Sequence, residues 1–179
     1  MKFEISYEHT AQYHLSQSCT GKEKDIWILF HGYGQLAEFF LKKFDSLFSQ
    51  ERLFISPEAT NYGYLKGFQG RVGANWMTKH ERELAIENNH QYLNKLLDHI
   101  LAEYDEMPKV NVLGFSQGGA TAARFYQQFP ELVSQLILWA SVFPPDIEKN
   151  SFPKGKKLDL RYRFLMLNLF QGYYNTEGA

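Results

Sequence analysis

Two uninterrupted apolar runs, Ile26-Trp27-Ile28-Leu29-Phe30 and Leu136-Ile137-Leu138-Trp139-Ala140, constrain this chain more than any other feature. A strand that is apolar at every position has both faces buried, which happens in a sheet covered on both sides by helices. Both runs fall far short of the ~20 residues needed to span a bilayer, so no membrane-spanning helix is expected.

Helix-period segments separate the apolar runs. In residues 36–50, Phe40, Leu41, Phe44, Leu47 and Phe48 form one helical stripe, and in 80–104 Leu93, Leu96, Leu97, Ile100, Leu101 and Tyr104 form another. Further strands are predicted at 53–56, closed by Pro57, at 110–115 and at 163–170. Phe3, Ile5 and Tyr7 share one side of a predicted N-terminal strand, with residues 11–16 pairing back as a hairpin. Residues 61–74, rich in Gly and Tyr, read as a long loop. Strands alternating with helices imply right-handed crossovers and a mostly parallel α/β sheet with helices on both faces. Ligands in such sheets gather at the carboxyl ends of the strands.

Composition narrows the function. Lys and Arg total 19 against 20 for Asp and Glu, which argues against a basic nucleic-acid binder. An aromatic content of 16% argues against a disordered chain. A chain of this length buries roughly 70% of its unfolded surface, enough for one core, so residues 1–179 are read as one domain. Cys19 is the only cysteine, which rules out an intrachain disulfide and a cysteine-based metal site. The N-terminus lacks the apolar segment of a signal peptide, and a cytoplasmic location is expected.

Gly114-Phe115-Ser116-Gln117-Gly118 is a Gly-x-Ser-x-Gly motif placed where a strand gives way to a helix, the context of a nucleophile elbow. Its glycines would allow a turn too tight for a β-carbon, and the alternative is a plain Gly-rich turn. His31-Gly32-Tyr33-Gly34 ends the first buried strand and can aim a backbone N–H toward the elbow. The amides of Tyr33 and Gln117 are the expected oxyanion-hole donors. His31 is expected to fix the loop through a ring hydrogen bond rather than to act on the nucleophile's proton.

With these motifs in hand, the chain resembles the phospholipase/carboxylesterase group of α/β-hydrolases, which includes the acyl-protein thioesterases. The matching stretches run in the same order from about residue 25 to about 143: Trp27 through Gly34, Asn75-Trp76-Met77, and Val112 through Ala120. The resemblance implies an α/β-hydrolase fold and a small serine esterase or thioesterase with little lid, no cofactor and no metal. It makes Ser116 the nucleophile, Tyr33 and Gln117 the oxyanion donors, and Trp76 a wall of the acyl pocket. The alternative for Trp76 is an ordinary core tryptophan.

A serine nucleophile needs a base, in this fold a histidine that follows both the serine and the acid. All six histidines, His9, His14, His31, His80, His90 and His99, precede Ser116. Where the resemblance places Gly-x-x-Asp, this chain has Gly172-Tyr173-Tyr174-Asn175, and Asp146, Asp159 and Glu177 read as surface charges. The sequence therefore reads as an α/β-hydrolase lacking its C-terminal strand and helix, a truncated or frame-disturbed esterase with impaired turnover. Two other readings stand beside it. One is a catalytically inactive scaffold that binds a small acyl ligand or a protein partner. The other is a homodimer through the C-terminal edge, in which the neighbour supplies the missing histidine or covers that edge. The substrate class on the first reading is a small ester or thioester.

Overall fold

The computed structural model describes residues 1–141 and 143–147, and the backbone of residues 157–161. Strand β2 (Asp25–Phe30) lies where the first apolar run predicts it. It is flanked by β3 (Arg52–Pro57) and β6 (Lys109–Phe115), both parallel to it. Beyond β6 lie β7 (Val133–Trp139) and β8 (Lys157–Arg161), again parallel, while the short β1 (Tyr13–Leu15) closes the other side antiparallel to β3. The sheet order is β1-β3-β2-β6-β7-β8.

Alternation along each strand divides the core into two layers. Ile26, Ile28 and Phe30 point to one face, with Leu53, Ile55, Val110, Val112, Leu136 and Leu138. Helices α2 (Arg82–Leu101) and α3 (Gln117–Gln128) cover that face through Leu93, Leu96, Leu97, Ile100 and Phe125. On the opposite face Leu29, Phe54, Leu113 and Phe115 pack with Phe40 and Leu41 of α1 (Ala37–Leu41). Continuous apolarity in β2 thus reflects burial on both faces.

Four expectations are corrected. The predicted helix over 36–50 is a one-turn α1 followed by a 3₁₀ helix, Lys42–Leu47, and only the first part of its stripe is buried; Leu47 is exposed. Residues 61–74 are no loop: β4 (Asn61–Lys66) and β5 (Gln69–Asn75) form an antiparallel hairpin, its turn at Gly67 and Phe68. Residues 1–10 form no strand, and Phe3, Ile5 and Tyr7 are exposed. Consequently β1 pairs with β3 and not with the residues before it. Alternation supplied a strand pattern at the N-terminus, but a strand also needs an edge to pair with. The strand predicted at 163–170, its edge contact, and residues 172–175 lie outside the described residues.

One buried carboxylate fastens the connection between β1 and β2. Glu23 is 2% exposed and accepts hydrogen bonds from the Tyr104 hydroxyl (2.8 Å), the Thr20 hydroxyl (2.9 Å) and the Thr20 N–H (3.0 Å). Burial pushes its pKa up, but these hydrogen bonds outweigh that and hold it at about 2. A carboxylate depressed on folding stabilises the fold above its unfolded value near 4.5, and that contribution is lost as pH falls toward 2. Tyr104→Phe, which strips one donor from the buried carboxylate, is expected to cost roughly 1–3 kcal/mol at neutral pH. It should also flatten the fall in melting temperature between pH 4.5 and 2, measured by thermal unfolding across that range. An acid profile that stays as steep as the wild type's would count against this role of Tyr104.

Candidate active site

The site is assembled by the register of two neighbouring parallel strands. Phe30 of β2 lies opposite Gly114 of β6, so the loop leaving β2 and the turn leaving β6 emerge side by side at the carboxyl end of the sheet. Gly118, at the start of α3, touches the backbone carbonyls of Phe30 and His31 so closely that a β-carbon there would clash with both oxygens. A β-carbon on Gly114 would fall 2.5 Å from Gly119 Cα and 2.6 Å from Ala122 Cβ. The glycines flanking Ser116 are therefore needed for close approach, as the motif suggests.

Ser116 has φ 52° and ψ −118°, a conformation that a side-chain-bearing residue rarely adopts. Its N–H donates to the Trp139 carbonyl (3.0 Å) and its carbonyl accepts from the Gly119 N–H (3.1 Å), so the strained turn is held from both sides. Among the described residues, the Ser116 hydroxyl has no hydrogen-bond partner. As the first residue of α3, Gln117 has no intrahelical acceptor for its N–H, which is left at the positive end of the helix beside Ser116.

The facing loop is a tight turn in which the Gln35 N–H donates to the Gly32 carbonyl (3.2 Å) and Gly34 takes φ +72°. The buried Gln35 side chain accepts from the Gly32 N–H (2.8 Å), which closes the turn from inside. These bonds leave the Tyr33 N–H without a partner among the described residues, while the Tyr33 side chain is exposed. The hairpin clamps the loop from outside: the Gly34 N–H donates to the Ala74 carbonyl (2.8 Å) and the Ala74 N–H to the Gln35 carbonyl (3.2 Å).

His31 is fully buried, and both ring nitrogens are occupied. Nδ1 donates to the Gly32 carbonyl (2.8 Å), while Nε2 accepts from the Ala59 N–H (3.0 Å). This arrangement requires the neutral ring protonated on Nδ1. Burial pushes its pKa below 6.5, outweighing the bond to Gly32. His31 therefore holds the loop, as its position suggests, and offers no free nitrogen to Ser116.

Trp76, expected as an acyl-pocket wall, is placed in the core with none of its surface exposed. Its indole N–H donates to the His31 carbonyl (2.9 Å), and its ring centroid lies 5.1 Å from that of His31. The Gln117 side chain bridges from the elbow to the same segment, accepting from the Trp76 N–H (2.9 Å) and donating to the Met77 carbonyl (2.7 Å). Sequence reasoning assigned Gln117 a backbone role and missed this clasp; it missed Gln35 as well. The sequence signal for both was a polar residue in an apolar context directly after a turn.

The other titratable candidates lie elsewhere. Asp146 binds Arg124 through both carboxylate oxygens (2.8–3.0 Å) and also Arg82 (3.0 Å). Partial burial pushes its pKa up, but the two guanidiniums hold it below the usual carboxylate range. Read from the sequence as a surface charge, it is an exposed residue that also ties two arginines together in an ion cluster. Asp159 and Glu177 have no described side chains. His90 lines a small cavity with Met77, Ile86, Asn89, Thr121 and Arg124, while His9, His80 and His99 are exposed. Among the described residues no ring nitrogen hydrogen-bonds to Ser116, and no cluster of His, Cys, Asp or Glu is able to hold a metal ion.

Strain at Ser116 leads to a prediction. Ser116→Gly removes the β-carbon that disfavours φ 52°, and relief of such strain is worth on the order of 1 kcal/mol. Ser116→Gly is therefore expected to melt higher than Ser116→Ala, which keeps the strain. Thermal unfolding of the two variants decides it, and equal or reversed midpoints would remove strain as an explanation.

The comparisons with known proteins agree with this geometry at the level of fold. No curated protein sequence matches the chain. Among solved structures, esterase PE8 superposes with a TM-score of 0.57 at 22% identity, covering 75% of this chain and 66% of that one. A phospholipase/carboxylesterase from Dyadobacter fermentans gives 0.60 at 16% identity, covering 84% and 69%. Acyl-protein thioesterase 2 from Zea mays gives 0.55 at 17%, covering 76% and 64%. The chain thus spans about two thirds of the length of these structures. A family model described as the alpha/beta hydrolase fold matches residues 28–179, and the chain belongs to that family.

Proposed function

We propose that this is the nucleophile half of a carboxylic-ester or thioester hydrolase site, with Ser116 as nucleophile and the N–H groups of Tyr33 and Gln117 as oxyanion donors. The observation that carries the proposal is the conformation of Ser116: φ 52° at a strand-to-helix turn, packed by glycine contacts against the loop of Tyr33. Strain of this kind persists only where the surroundings enforce it, and it is concentrated at functional sites. The names of the structural neighbours, an esterase and an acyl-protein thioesterase among them, support the same substrate class.

On this reading Ser116 Oγ attacks the acyl carbon, and the carbonyl oxygen gains charge between the two N–H donors. Collapse expels the alcohol or thiol, and water then releases the acid and restores the serine. Trp76, His31, Gln35 and the Gln117 side chain are positioning residues; they hold the donors and do not touch the acyl group. No cofactor is needed. A soluble, cytoplasmic esterase is the setting proposed, and among the described residues no helix is long and apolar enough to cross a membrane.

The hydroxyl proton is the weak point. With no imidazole on Ser116 among the described residues, acceleration by the 179-residue chain is expected to be only the roughly 10³–10⁴-fold over water that oxyanion binding retains without a complete triad. The same observation favours a second reading, a catalytically inactive scaffold that binds an acyl ligand or protein partner.

Hydrolysis of p-nitrophenyl acetate and labelling by a fluorophosphonate, each compared with Ser116→Ala, separate the two. Slow hydrolysis and slow labelling, both lost in Ser116→Ala, are the expected result. Vigorous Ser116-dependent turnover would overturn the impairment and require a base elsewhere. Wild-type behaviour indistinguishable from Ser116→Ala would leave only the scaffold.

A further inference from the structure

Among the described residues the backbone is first anchored at Gln12, whose carbonyl accepts from the Tyr92 hydroxyl (2.6 Å) and the Glu58 N–H (2.9 Å). All ten residues from Met1 to Thr10 are exposed. Within them Phe3, Ile5 and Tyr7 are 83%, 90% and 79% exposed, although they alternate with Lys2, Glu4, Ser6 and Glu8 in a strict strand pattern. Three large apolar side chains in a segment that pairs with no strand among the described residues are unusual for a surface, and in an extended conformation they would share one side and form a ready edge for another strand.

We propose that residues 2–8 pair antiparallel with the same residues of a second copy of this chain, about a two-fold axis through Ile5. An isologous contact requires the segment to complement itself, and this one does so in a single register. With Ile5 opposite Ile5, Phe3 faces Tyr7, Glu4 faces Ser6 and Lys2 faces Glu8, each pair occurring twice. The apolar side chains of both strands then share one face, and the charged side chains share the other.

The neighbouring registers fail. A shift by one residue sets apolar side chains opposite polar ones. A shift by two puts Glu4 opposite Glu4 in one direction and Glu4 opposite Glu8 in the other, and like charges directly opposite are destabilising. Parallel in-register pairing stacks Lys2, Glu4 and Glu8 on themselves. Lys2 already binds Glu81 (2.7 Å) in its own chain, but that pair is exposed and a weak competitor. The contact is distinct from Ser116 and independent of catalysis.

Sedimentation of the full chain should show a mass rising from 20.9 kDa toward twice that value with concentration. Deleting residues 2–8 should abolish the rise without moving the melting temperature, since none of them belongs to the core. Lys2→Glu and Glu8→Lys should each weaken association about tenfold, and the double variant should restore it. In a Cys19→Ser background, Ile5→Cys should cross-link two copies under mild oxidation, because directly opposed Cα atoms lie within disulfide reach, and Ser6→Cys should not. A strict monomer at every concentration would overturn the proposal, as it would if the segment were covered by its own chain. So would self-association that survives the deletion, or Ser6→Cys cross-linking as readily as Ile5→Cys.

Discussion

The contact of Gly118 with the carbonyls of Phe30 and His31 governs the arrangement at the carboxyl end of the sheet. It exists because β2 and β6 are parallel neighbours with Phe30 opposite Gly114, so that a loop and a helix start must share one small space. The space admits backbone only. The helix consequently begins at Gln117 with its first N–H beside the loop, and Ser116 is left to make the turn with an unfavourable φ. Motif and strain are two results of one packing constraint.

That constraint is stabilised from behind by a chain of polar contacts in an otherwise apolar layer. Asn89 of α2 donates to the Trp76 carbonyl (2.8 Å), Trp76 donates to the His31 carbonyl, and His31 spans from Gly32 to Ala59. Each group is buried, so each bond satisfies a donor or acceptor whose isolation would cost on the order of 1–3 kcal/mol. The loop is thereby fixed by helix, hairpin and sheet together, as the proposed donor role of the Tyr33 N–H requires.

The parts of this fold that were legible in the sequence are those where one local pattern admits one environment. Continuous apolarity in 26–30 can satisfy only a sheet covered on both faces, and Leu93, Leu96, Leu97 and Ile100 can bury together only on a helix. Gly-x-Ser-x-Gly after a strand likewise leaves few geometries. Elsewhere the pattern was right and the partner was missing. Residues 3–7 alternate like a strand but meet no sheet edge within the described chain, and the 36–50 stripe outlasts the surface it could pack against. The hairpin at 61–75 failed in the opposite sense. Its glycines and tyrosines spell loop, yet Gly73 packs against the Gly34 backbone, 2.6 Å from the position its β-carbon would take to Gly34 Cα, so that glycine records a close approach within a paired strand.

Donor geometry and proton transfer depend on different parts of such a molecule. On the proposed reading the two N–H donors rest on β2, β6, α3 and the hairpin, with β7 holding the turn through the bond from the Ser116 N–H to the Trp139 carbonyl. A base needs only one imidazole at the serine, and the described contacts that hold the loop and the elbow form without one there. The buried histidine that does lie near the elbow cannot exchange roles, because freeing Nε2 would orphan the Ala59 N–H and protonating it would set two donors face to face. The strained Ser116 and the unpaired N–H groups proposed as donors are therefore held with no imidazole at Ser116 among the described residues. This separation is why the glycine contacts account for the conformation of Ser116 and remain silent on any rate.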